Sequence, residues 1–186
     1  MPKTLLKPKQ GILLISEPSL RDFYFRQSVV LLAEHNEEGS FGIIINKPIE
    51  TRLNEVLKEF PDFDFPVYLG GPVKTDSLFF IHTKENIDNS MRIFKGLYWG
   101  GDIEMIRVML ETGQISENEI RFFIGYAGWN PKQLDREISE KSWVLSHTNV
   151  EEVITSRPEN LWRDHLRNMG KDYAIWSNFP QDPSFN

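Results

Sequence analysis

The apolar residues of this 186-residue chain come in short runs: "ILLI" (Ile12–Ile15), "VVLLA" (Val29–Ala33), "GIII" (Gly42–Ile45), "LFFI" (Leu78–Ile81) and, within "EIRFFIGYAGW", Phe122–Ile124. Runs of this length, rich in β-branched and aromatic residues and bounded by turn formers, have the pattern of buried strands. None approaches the roughly 20 apolar residues that a bilayer-crossing helix needs. The chain is therefore expected to fold around a sheet rather than as a bundle or a membrane span.

Following the chain, "GILLIS" and "SVVLLAEH" read as strands joined by the proline- and aromatic-bearing loop "EPSLRDFYFRQ". "NEEG" is a turn and "FGIIIN" the returning strand, so Ser28–Asn46 is expected to be a hairpin closed by Lys47-Pro48. Thr51 is placed to cap a helix with Leu53, Val56, Leu57 and Phe60 on one face and Pro61 as its stop. "VYLGGP" and "SLFFIHT" give two strands around a turn at Pro72–Asp76, and "MRIFKGLYW" one more. Asp102 suits the N-cap of "IEMIRVMLE", with Ile103, Ile106 and Leu110 inward and Gly113 as the stop.

"EIRFFIGYAGW" is the expected central strand, and the knot Gly128-Trp129-Asn130-Pro131 follows it. Asn130 sits where an N-cap belongs, Pro131 supplies the first helical φ, and Gln133 completes a capping box. Leu134 and Ile138 then face inward, and Glu137 pairs with Lys141 one turn on. Gly125 and Gly128 mark places where another backbone or the Trp129 ring comes close. "SWVLSH" is the last strand. A short helix from Asn149 and a longer one from Pro158 to Gly170 follow, the latter with Leu161, Trp162, His165, Leu166 and Met169 on one face. The remainder, 171–186, is expected to be irregular. Strands and helices do not alternate regularly, which makes the class α+β, and no linker or repeat divides residues 1–186 into more than one domain.

Composition narrows the function classes. The net charge is −6, and the most basic surface, Arg157, Arg163, Arg167 and Lys171, is interrupted by Glu159 and Asp164. A protein that gains affinity by neutralising phosphates is poorly served by that balance, so direct nucleic-acid binding is not expected. The absence of cysteine removes disulfides, thiolate nucleophiles and Cys-ligated metals. The N-terminus "MPKTLLKPKQ" lacks the apolar core of a signal peptide, and cytoplasmic residence is the simplest expectation.

Chemical motifs are sparse. No Gly-x-Ser-x-Gly elbow, His-Glu-x-x-His or EF-hand loop occurs, and His35, His82, His147 and His165 fall in no hydrolase or metal signature. No metal or cofactor is expected. "LGGPVKT" lacks the spacer and second glycine of a Walker A loop, leaving either a plain tight turn at Gly70-Gly71 or a nest of exposed amides. His35 lies beside the hairpin turn and Asn46 at the far end of the returning strand, so the hairpin alone does not bring them together.

Taken together, "GILLISEPSLRDFYFRQSVVLLAEH", "GSFGIIINKPI", "LGGPV" and "YAGWNPKQLDREI", with a tryptophan soon after in "SWVL", resemble the YqgE/AlgH family of bacterial proteins over roughly 11–170. The matching positions are Pro18, Asp22, His35, Asn46, Pro48, Gly70, Gly71, Pro72, Gly128, Trp129, Gln133 and Leu134. The segment after Gly170 departs from the pattern. The resemblance implies a bifurcated, mostly antiparallel sheet rolled into a pseudo-barrel with helices packed outside. It also implies a bacterial cytosolic protein, often labelled a transcriptional regulator, for which no catalytic residues are assigned.

Two functional expectations follow: a regulatory protein acting through protein or ligand contacts without touching DNA, or a small-molecule binder or enzyme with its site at the strand ends. For the second, Asn46, Gly70, Gly71 and Trp129 are expected to converge on one concave surface, joined by His35. Donors, acceptors, bare amides and a flat ring are what such a site requires.

Overall fold

The computed structural model describes residues 6–60 and 62–180. In chain order the strands and helices are β1 (Leu13–Ser16), β2 (Val29–Asn36), β3 (Gly39–Ile44), β4 (Pro48–Arg52), α1 (Leu53–Val56), β5 (Pro66–Leu69), β6 (Val73–His82), β7 (Met91–Phe94), β8 (Leu97–Trp99), α2 (Ile103–Glu111), β9 (Ile120–Trp129), α3 (Gln133–Ser139), β10 (Trp143–Ser146), α4 (Val150–Thr155), α5 (Pro158–Asn168) and α6 (Lys171–Ala174). The main path of the sheet runs β10-β1-β2-β3-β9-β6-β8-β7 with antiparallel neighbours throughout. The fold is α+β, as the sequence suggests.

The sheet forks at β9. One edge of β9 pairs with β6, while the other is shared: its first half takes β5 in parallel (Val67↔Phe122 to Leu69↔Ile124), and its last residues take β3 (Gly42↔Ala127 to Ser40↔Trp129). β4 extends the β5 branch. Gly70 stands in the crotch, its N–H donating to Ile124 O at 2.8 Å while its carbonyl accepts from Ile44 N at 2.8 Å. A Cβ on Gly70 would lie 2.1 Å from Gly125 O, and one on Gly125 would lie 2.4 Å from Gly71 O. Backbone packs directly on backbone here, and Gly125 takes a φ of +71°. That is the close approach expected at Gly125. Gly128, by contrast, meets only side chains at ordinary contact distance.

Among the described residues no ladder closes the sheet, but its curl brings β7 back to the segment entering β1. Gln10 Nε2 donates to Arg92 O at 3.0 Å, and the Phe94 ring packs over Gly11. Alternation along the strands divides the apolar side chains between two faces. Leu13, Leu31, Ile43, Ile81, Leu97 and Phe123 face the rolled interior, where α4 and α5 also bury Val153, Leu161, Trp162 and Leu166. On the outside, Leu14, Val30, Leu32 and Ile44 pack with Leu134 of α3. Val67, Phe80 and Phe122 pack with Leu53, Ile106 and Leu110 from α1 and α2.

Several local expectations are corrected. The helix begun at Thr51 is a single turn, because Pro48–Arg52 pairs with β5 instead; Leu53 and Phe60 are nevertheless buried. The expected stop at Pro61 lies outside the described residues. "MRIFKGLYW" is a hairpin, β7 and β8, turning at Lys95-Gly96 where Gly96 has φ +85°. The turn placed at Pro72–Asp76 is short, since β6 already starts at Val73 and residues 74–77 lift off β9. Past Gly170, Lys171–Ala174 and Trp176–Asn178 wind into helical turns where irregular chain is expected.

Asn130 does not cap α3. Lys132 holds the N-cap position in the left-handed region, and the Gln133 side chain reaches back to Asn130 N at 3.0 Å, which is half of the expected box. Nor does Glu137 pair with Lys141. Its Oε2 accepts from both Trp129 Nε1 (2.8 Å) and Trp143 Nε1 (2.9 Å), and its Oε1 accepts from Gln133 Nε2 (2.8 Å). The aromatic-and-glycine knot is thus a clamp: one carboxylate of α3 satisfies two buried indoles of the sheet, and Phe25 packs against both rings. By contrast, the Asp102 cap of α2 and the Asn149 cap of α4 form as expected.

Candidate functional site

Phe41 on β3, Tyr126 on β9, Phe79 on β6 and Trp99 on β8 come from four strands that are neighbours in the sheet. Their rings interlock in a closed circuit: Phe41–Trp99 at 5.3 Å, Trp99–Phe79 at 5.7 Å, Phe79–Tyr126 at 5.3 Å and Tyr126–Phe41 at 6.2 Å between centroids. All four are half-buried, and Phe41, Phe79 and Trp99 pack on the interior core. The same strand faces that send Ile43, Ile81 and Leu97 inward end in these rings, which form the floor of an open cleft of about 630 Å³.

Polar groups ring this floor. Glu34, Asn36 and Glu38 come from the β2–β3 hairpin, Lys74 from the lifted part of β6, and Asn130 from the end of β9. Neither the Trp99 indole N–H nor the Tyr126 hydroxyl has a hydrogen-bond partner among the described residues, whereas Trp129, Trp143 and Trp162 all spend theirs, the last on Ser16 O at 2.9 Å. A cleft with flat apolar walls, unspent donors and a charged rim is suited to recognition.

The residues expected to form one site are separated. Trp129 borders this cleft only at the end of β9, and its ring, 6% exposed, is turned to the opposite face against Leu134 and Trp143. Asn46 borders a different cleft with Lys47 and Arg163. Its side chain accepts from Val29 N (2.8 Å) and donates to Gln27 O (2.9 Å), stitching the hairpin to the preceding loop. Gly70 and Gly71 are buried at the fork, so the exposed-amide alternative for Gly70 gives way to a packing role. His35 bonds Ser40 across the hairpin (Nδ1 to Oγ, 2.7 Å) and lies 3.8 Å from Asp135. It stays apart from Asn46, as hairpin geometry requires.

His82 and His165 are also accounted for. His82 is fully buried, donates from Nε2 to Gly100 O (2.8 Å) and accepts at Nδ1 from Lys84 N (3.2 Å). Burial pushes its pKa down, against those two backbone contacts. Ser146, His165 and Glu152 form a chain resembling a hydrolytic relay, with Ser146 Oγ 3.0 Å from His165 Nδ1 and His165 Nε2 3.1 Å from Glu152 Oε1. The second contact lies off a good hydrogen-bond direction, and the Ser146 hydroxyl also approaches His147 O. His165 and then Thr148 hold the Glu152 carboxyl below its ordinary range. Ser146 lines neither the aromatic cleft nor the Asn46 cleft, and the trio ties β10, α4 and α5 together. In the Asn46 cleft, burial and then Arg26 bring the Lys47 pKa down to about 8, with Asp22 opposing.

The comparisons with known proteins agree with this architecture. A family model described as AlgH-like matches residues 13–174. A UPF0301 protein of Cytophaga hutchinsonii is 42% identical over 179 residues, covering 95% of this chain and 98% of that protein. Another, from Bacteroides fragilis, is 43% identical and covers 96% and 92%. Among solved structures, a Corynebacterium diphtheriae protein aligns with a TM-score of 0.75 at 26% identity over 95% of each chain. The AlgH protein of Pseudomonas aeruginosa aligns with a TM-score of 0.73 at 26% identity over 96% of this chain and 97% of its own.

Proposed function

The chain belongs to the AlgH-like family, and on that footing we propose that it is a regulatory interaction protein that works by recognition, without contacting DNA. Its recognition surface is the aromatic cleft, and its occupant is a basic segment of a partner protein. The carrying observation is the interlocked floor of Phe41, Phe79, Trp99 and Tyr126. Aromatic faces attract guanidinium and ammonium groups. Glu34 and Glu38 on the rim outnumber Lys74, so the charge there favours a cationic partner. The free Trp99 N–H and Tyr126 hydroxyl give the occupant's backbone two contacts. No helix among the described residues is long and apolar enough to cross a membrane.

The test is an anisotropy titration of the full chain against aromatic-containing peptides of graded charge, with a duplex DNA fragment alongside at physiological salt. Basic peptides are expected to bind, their acidic counterparts and the duplex not. A Glu34→Lys/Glu38→Lys double variant, altered only on the rim, is expected to lose the preference. Equal binding of basic and acidic peptides would sink the reading, and submicromolar affinity for the duplex would return DNA contact to consideration.

A further inference from the structure

Arg121 is a buried cation with no counter-charge paired to it among the described residues. We propose that it anchors a second binding site, for a small molecule that presents a phosphate or carboxylate group. It lies near the start of β9 and is only 7% exposed. Its guanidinium donates from Nη1 to Ile45 O (3.3 Å) and from Nη2 to Ser156 O (2.7 Å), and stands 4.8 Å from the centroid of the Tyr68 ring. Those contacts orient the fork and leave other donors, Nε–H among them, without a partner among the described residues. None of the ion pairs of the described residues includes Arg121. Burying a guanidinium against neutral partners alone is costly, and the cost falls when an oxyanion takes the open donors in the planar, bidentate geometry that arginine favours.

The surroundings supply the rest of such a site. Arg121 opens onto a cleft of about 640 Å³ that also includes Ser156, Arg157 and Asn160. Ser156 Oγ is buried with no hydrogen-bond partner among the described residues. The 11-residue α5 starts here at Pro158, and no side chain among the described residues caps it, so first-turn amides are open at the positive end of its dipole. Burial pulls the Arg121 pKa below its ordinary value, against the nearby Tyr68.

The cleft is far larger than a free ion and falls in the range of small-molecule sites. Glu117 and Glu159, both exposed, share its lining. They disfavour a second anionic group, so the ligand carries one oxyanion on a neutral or cationic polar body. Along β9, Arg121 and Gly128 are separated by roughly 20 Å at ~3.3 Å per residue. This site is therefore distinct from the aromatic cleft, and either assignment stands without the other.

The test titrates the full chain with ribose 5-phosphate, gluconate and inorganic phosphate at constant ionic strength, reading affinity by calorimetry and the Arg121 Nε–H resonance by NMR. Saturable binding of an organic oxyanion, tighter than inorganic phosphate and moving that resonance, is expected; the ribose 5-phosphate and gluconate arms tell phosphate from carboxylate. Arg157→Glu, on an exposed side chain, is expected to weaken binding at least about tenfold, the scale of one lost charge-assisted contact. Arg121→Gln is expected to abolish it. Should Arg121→Gln fail to fold, Arg157→Glu and Ser156→Ala decide. No saturable binding by any probe, no gain from an organic body, or wild-type affinity in Arg157→Glu would each overturn the assignment.

Discussion

Replacing Glu137 tests how the aromatic knot is held. Its carboxylate accepts from Trp129, Trp143 and Gln133, and the two indoles are 6% and 3% exposed. Glu137→Ala keeps the helix propensity of α3, since both residues are good helix formers. It leaves two indole N–H groups with little access to water. Each orphaned buried donor costs about 1–3 kcal/mol, and the two share one acceptor oxygen, so a total of about 3–4 kcal/mol is the reasonable sum. Glu137→Gln retains one acceptor oxygen for the indoles and gives up the charge and the acceptor for Gln133 Nε2, at about 1–2 kcal/mol. Urea melts of both variants measure the difference. A cycle with Trp143→Phe, which removes a donor and keeps a ring, isolates the coupling, expected to exceed about 1 kcal/mol. If Glu137→Ala melts with the wild type, or Glu137→Gln costs as much as Glu137→Ala, the clamp does not hold the knot.

The remaining predictions are more local. Gly70→Ala is expected to lose at least about 2 kcal/mol in the same melts, because its Cβ would press on the Gly125 carbonyl with no flexible side chain to give way. Asn130→Ala is expected to stay within about 0.5 kcal/mol of wild type, since the Asn130 side chain makes no hydrogen bond among the described residues and its backbone N–H keeps Gln133. For Lys47 the folded pKa of about 8 lies below its ordinary 10.5, so between these values the native state binds fewer protons than the unfolded state. The stability of wild type relative to Lys47→Met is therefore expected to rise with pH from about 8 to 10.5 and to be flat below about pH 7. A difference that falls across that window, in melts at stepped pH, would contradict the burial of the ammonium.

Much of the fold is legible in the sequence where local signals and pairing agree. The Ser28–Asn46 hairpin, the long strand before the knot, the Asp102 cap and the apolar face of α5 all appear where the residues place them. Misreadings occur where a distant strand decides. Leu53, Val56, Leu57 and Phe60 have helical spacing, yet the segment before them is held extended by pairing with Pro66–Tyr68. In "MRIFKGLYW" a two-residue turn is hidden in a continuous apolar pattern, marked only by Gly96. The site residues picked for their chemistry, Asn46, Gly70, Gly71 and Trp129, serve the fork, the loop and the clamp, because caps and close approaches use the same residue types. Phe41, Phe79, Trp99 and Tyr126 read as ordinary strand residues, and only the order β3-β9-β6-β8 brings them together. Arg121 did leave a trace, a lone charge between Ile120 and Phe122 in an apolar strand.

The most direct test of the recognition surface is a fragment screen read through the indole N–H resonances of the five tryptophans. Only Trp99 lies on the cleft floor with its donor free, while Trp129, Trp143 and Trp162 are locked to Glu137 and Ser16. Aromatic and cationic fragments are expected to move the Trp99 signal and the amides of Phe41, Phe79 and Tyr126 in a saturable way, leaving those three locked indoles in place. Hits that leave Trp99 and these amides unmoved and gather elsewhere on the molecule would contradict the account.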